Sequence, residues 1–222
     1  MHLTQTKAML DDVTDTRFLA NVVLTVWLVA LVVRAPADTG AQRLIRHGSY
    51  MRAVGAACRD GLLWALAVVP VVLAAMYVTT LGLPAADDGS HGIDSYPVEL
   101  QSPGWPWLAA LVATVVLAIS LLLVLQLISL TLHLVSPVRG IDVAFAVAVA
   151  VIALLSAAGF VDAGSPLNLG QLTTVLSIVA APGAAAVSWA ITLAACAVCV
   201  VVLRGMDRRR RSLPALIGRR RP

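Results

Sequence analysis

Residues 105–135 read WPWLAALVATVVLAISLLLVLQLISLTLHLV, a stretch with no Asp, Glu, Lys or Arg. As an α-helix this stretch would be about 45 Å long, against roughly 30 Å for the hydrocarbon core of a bilayer. Hydrocarbon offers no partner for a backbone N–H or C=O, so a segment this apolar satisfies its own amides as a helix. It reads as a membrane span that tilts or protrudes.

Working outward, comparable apolar blocks occupy 18–33, 61–83, 143–161 and 184–203. The apolar run from 170 to 203 is too long for one span and is interrupted at Pro182-Gly183. It divides into a short re-entrant segment, 170–182, and a final span. The predicted fold is therefore an all-α, polytopic membrane helix bundle of about five spans. Hydrophobic residues make up 59% of the chain and charged residues 13%, whereas soluble domains carry roughly 45–50% and about 25%.

The charges sit between the blocks and set an expected orientation. Arg34, Arg43, Arg46, Arg52 and Arg59 fall between the first two blocks, and Arg204, Arg208 to Arg211 and Arg219 to Arg221 follow the last. The segment after the second block holds Asp87, Asp88, Asp94 and Glu99 without a Lys or Arg. Arginine-rich flanks stay in the cytoplasm, so the expected arrangement has the N-terminus outside and the C-terminus inside. On this reading 1–16 is extracytoplasmic, 17–204 is the transmembrane domain, and 205–222 is a basic cytoplasmic tail. Asp11, Asp12 and Asp15 precede the first block, where a cleavable signal would be basic. Trp105, Trp107 and Trp189 fall at expected outer ends and Trp64 at an inner one, as headgroup-level rings should; Trp27 lies mid-span. The net charge of +4 is explained by topology and calls for no nucleic acid. Of the 16 basic residues all but Lys7 are Arg, amid abundant Ala and Val, a bias that suggests a GC-rich bacterial genome and its plasma membrane.

Chemistry within the spans is sparse. No ionisable Asp, Glu, Lys or Arg interrupts them, which disfavours an ion-coupled pump or an intramembrane hydrolase. Gln126, Ser129 and Thr131 in the third span either line a pathway or hydrogen-bond a neighbouring helix. His2, His47, His91 and His133 are dispersed, so neither a metal site nor a cofactor is expected. No catalytic residue is assigned, and no G-x-x-x-x-G-K-[ST] loop occurs, so any ATP hydrolysis would belong to a partner. Cys196 and Cys199 have the C-x-x-C spacing of a thiol oxidoreductase, but the pair falls near cytoplasmic Arg204, where small apolar cysteines also serve close helix packing.

The arginine-rich loop is the most informative polar segment. Over 41–58, Leu44, Met51, Val54 and Cys58 share one helical arc, predicting a short amphipathic cytoplasmic helix weakened by Gly48 and Gly55. Such a helix is also suited to lying on anionic lipid through Arg43, Arg46 and Arg52. With its Ile45-Arg46-His47-Gly48-Ser49 sequence, however, the chain resembles the membrane subunits of type-2 ABC exporters, which share the ABCG-like fold. The likeness covers nearly the whole chain: a cytoplasmic coupling helix, an in-to-out span, two further spans, a broken outer segment and a returning span. It implies a permease whose residues Arg43, Ile45, Arg46, Gly48, Ser49, Met51 and Arg52 couple to a separate ABC-type ATPase, working with a second permease chain. Family members have six spans, so the first helix has no counterpart here; an earlier start or another chain would supply it. The alternatives are a non-catalytic immunity, assembly or scaffolding protein and, behind it, the thiol oxidoreductase.

Overall fold

A computed structural model describes residues 19–79, 81, 105–136, 140–162, 165, 167, 168, 170–173, 178 and 182–218. The proposed 1–16 segment, the acidic stretch after the second block and most of the re-entrant segment lie outside these residues. Among those described, every regular element is helical. A π-helical segment, Leu19–Leu24, leads into α1, Thr25–Thr39. Then follow α2, Ala41–His47; α3, Tyr50–Thr79; α4, Trp105–Val135; α5, Ile141–Ala157; α6, Gly170–Thr173; and α7, Pro182–Gly218.

Four helices are long and apolar enough to cross a membrane, those containing Val22–Thr39, Tyr50–Ala75, Leu108–Val135 and Pro182–Arg210. α5, at 17 residues, stands at the lower limit of about 17 for a span. The chain is a multi-pass α-helical membrane protein. Its packing is that of a molecule dissolved in lipid: Val29, Val33, Leu63, Val71, Val147 and Val201 are exposed, while Thr114, Gln126, Ser129, Thr131, Ser188 and Thr192 are buried. Hydrocarbon removes the penalty on an outward Val and raises the value of internal polar contacts and small-residue packing.

α4 is the hub, touching α1, α3, α5, α6 and α7. That placement accounts for its sequence, since a helix surrounded by neighbours is apolar on all sides. Leu121, Leu122 and Leu125 on α4 pack with Trp27, Leu28 and Leu31 on α1 and with Ala146 and Ala153 on α5. Nearer the arginine-rich end, Leu130 joins Ala35, Val54, Ala57 and Leu203.

Element boundaries differ from the sequence-based ones where polar residues extend a helix beyond its apolar block. The first helix continues past residue 33 to Thr39, and the last begins at Pro182 and continues past residue 203 to Gly218, so most of the tail prolongs the final helix. The single amphipathic helix expected over 41–58 is divided. Gly48 adopts φ 68°, its N–H caps Leu44, and the chain restarts at Tyr50 in a helix that runs unbroken into the second span. A left-handed residue ends a helix and Gly adopts that conformation at least cost. α5 covers 141–157 and not 143–161.

Candidate functional site

The 34–60 segment and the start of the final basic cluster lie at the same end of the bundle and are bonded together. Ser49 occupies the N-cap of α3, its hydroxyl accepting from the Arg52 N–H at 3.2 Å and donating to Asp207 on α7 at 2.8 Å. The Asp207 carboxylate also accepts the backbone N–H groups of Tyr50 at 2.6 Å and Met51 at 3.2 Å. A carboxylate on unsatisfied N-terminal amides gains both charge-assisted hydrogen bonds and the helix dipole. The Arg210 guanidinium lies 5.9 Å from the Tyr50 ring centroid, within cation–π range. The elbow between α2 and α3 is thus fastened to the last helix.

The seven expected coupling residues separate into two groups. Arg43 bridges Asp38 of α1 and Asp60 of α3 at 2.5 and 2.7 Å, acting as an internal strut. Ser49 is the buried cap, Gly48 is the turn, and Met51 packs against the Leu130 cluster. Arg46, Arg52 and Ile45 face outward, and Ile45 is 72% exposed at the tip of the elbow.

The three pathway candidates are also distributed. Gln126 is 4% exposed and donates Nε2–H to the Ala57 carbonyl at 3.0 Å, tying α4 to α3, while its Oε1 lacks a partner. Gly61 leaves the room for it, because a Cβ there would stand 2.2 Å from Oε1. Thr131 returns its hydroxyl to Leu127 of its own helix, and Ser129 is buried.

Between α1, α3 and α4 lie two recesses of 200 and 210 Å³. The first is apolar, lined by residues such as Val22, Val69 and Val115, with Thr114 its buried hydroxyl. The second is lined by Arg34, Asp38, Gly61 and Gln126. Trp27 and Trp64 line both, with ring centroids 5.9 Å apart and planes tilted by 47°. Trp27 is fixed, its indole N–H donating to the Leu122 carbonyl at 3.0 Å.

Three features escape a reading of the sequence. Asp207 is an acid hidden in a run of arginines, and a lone acid there is its only signal. Trp27 sits mid-span, where headgroup preference assigns it nothing. His133 lies 3.2 Å from the buried Asp142, joining the ends of α4 and α5 across their short connection. Cys58, Cys196 and Cys199 carry no disulfide, and the described residues contain no group of three metal-ligating side chains. Comparison with family models, with curated proteins and with solved structures finds no match.

Proposed function

We propose that this chain is the membrane-spanning permease subunit of an ATP-driven exporter, and that its elbow receives the motion of a separate ATPase. The observation that carries this reading is the combination of an exposed tip with a fastened root. Ile45, Arg46 and Arg52 present one apolar and two cationic groups to solvent, while Arg43, Ser49 and Asp207 bind the elbow to α1, α3 and α7. A push on α2 is therefore transmitted along α3, which is continuous with a membrane span. The ATPase supplies hydrolysis; this chain supplies none. The elbow and the last helix face the bacterial cytoplasm, the N-terminus lies outside, α5 completes five spans, and a second permease chain completes the pathway.

The exporter is purified in a mild detergent and its ATPase rate followed. An ATPase subunit should co-purify, and replacing Arg46 and Arg52 with Ala should lower its rate severalfold while leaving the membrane subunit folded. An unchanged rate, or a clean preparation without an ATPase, would refute the proposal.

A further inference from the structure

The two recesses flanking Trp27 and Trp64 have the chemistry of one elongated amphiphile. The polar recess is lined by Arg34, which makes no ion pair with any described residue, and by the 96%-buried Gln126, whose Oε1 is an acceptor without a partner. Asp38, on the same wall, is already bound by Arg43. A guanidinium selects an anionic oxygen group, and a buried acceptor without a donor carries a cost that a ligand N–H or O–H removes. The other recess is apolar, and its one buried hydroxyl, Thr114 Oγ1, likewise lacks a partner.

Length and direction agree with a lipid. Val22 in the π-helical segment and Arg34 in α1 mark the two ends, separated by roughly 18 Å at an α-helical rise of about 1.5 Å per residue. That is close to the depth of one leaflet, about half of a 30 Å hydrocarbon core. The polar recess is at the arginine-rich end, so a headgroup there directs its chain toward the bilayer middle, as in any lipid of that leaflet.

We propose that the cleft between α1, α3 and α4 binds a phospholipid of the arginine-side leaflet. The headgroup phosphate is held by Arg34, a headgroup N–H or O–H donates to Gln126 Oε1, and an acyl chain passes the Trp27–Trp64 pair into the apolar recess. Phosphatidylethanolamine and phosphatidylglycerol satisfy both requirements; phosphatidylcholine has the phosphate without a donor. The site does not require that the elbow engage an ATPase, because Arg34 and Gln126 lie apart from Ile45, Arg46 and Arg52.

The two tryptophans are built-in reporters. Full-length protein with Trp105, Trp107 and Trp189 changed to Phe is placed in phosphatidylcholine nanodiscs containing small mole fractions of lipid with brominated chains. Brominated phosphatidylethanolamine or phosphatidylglycerol should quench saturably at low mole fraction, and brominated phosphatidylcholine only in proportion to its abundance. Arg34→Gln, on an exposed side chain, should raise the half-quenching fraction by roughly tenfold, as the loss of one charge-assisted hydrogen bond implies. Gln126→Leu, which keeps the bulk but not the acceptor, should abolish the preference for donor-bearing headgroups. Equal, unsaturable quenching by all three lipids would overturn the proposal, as would wild-type quenching of a helical, folded Arg34→Gln protein.

Discussion

Gly61 shows how much a single missing side chain can decide in this bundle. The side-chain amide of Gln126 fills the space above it and ties α4 to the Ala57 carbonyl. Gly61→Ala should push that amide aside and break the bond, lowering stability by about 1–3 kcal/mol, the cost of leaving buried polar groups unsatisfied. In a Gln126→Ala background the same change should cost almost nothing. Thermal unfolding in detergent of the four members of this cycle measures the coupling, and additive losses would show that the contact is not made. The polarity of Gln126 is legible from sequence, which allows it either to line a pathway or to hydrogen-bond a neighbouring helix. In the structure the amide nitrogen bonds Ala57 on the neighbouring helix and the amide oxygen lies over Gly61. The sequence could not separate these because the roles depend on which residue of α3 lies opposite, and that residue is a glycine. Trp27 was illegible for a related reason: its hydrogen bond is to the backbone of Leu122, and a backbone acceptor leaves no compositional trace.

Among the elements, the hinge between α2 and α3 departs most from its sequence pattern. Leu44, Met51, Val54 and Cys58 share a helical arc, yet Gly48 turns the chain between the first and second of them. Periodicity reports which residues face inward; it is blind to a break that preserves their side. What holds the break is Asp207, through the amides of Tyr50 and Met51. Asp207→Ala should remove about 1–2 kcal/mol of local stability, the usual worth of an N-terminal cap. Hydrogen exchange of the 50–53 amides should then accelerate by roughly tenfold, while the amides of the α4 interior stay protected. An unchanged exchange rate would mean that the cap contributes nothing. Gly48→Ala should also destabilise the elbow, by about 1 kcal/mol, because an L-residue is strained at positive φ. The uncharged block 105–135 and the helix α4 have the same ends, because a run this apolar satisfies its backbone in hydrocarbon only as a helix.

At the scale of the whole molecule, the distribution of apolar residues was the strongest signal, and the bundle follows it: valines face outward in number, while leucines of the core, small residues and the polar side chains of the spans pack within. The association of the elbow with the last helix was not legible, since the contact between residues 49 and 207 joins opposite parts of the chain. The proposed orientation predicts that single cysteines at position 45 and at position 208, in a background lacking Cys58, Cys196 and Cys199, are both protected from an impermeant thiol reagent applied to intact cells. A cysteine at position 160, beyond α5, should be labelled. Labelling at 45 would reverse the topology and remove the elbow from any cytoplasmic ATPase. The most direct measurement of coupling is a photo-crosslinking side chain at position 45, the exposed tip of the elbow, activated in native membranes. The expected product is an adduct whose peptides identify a polypeptide bearing a G-x-x-x-x-G-K-[ST] loop, absent when the same group is placed at the outward-facing Val201. Adducts only with lipid at both positions would mean that the elbow meets no ATPase.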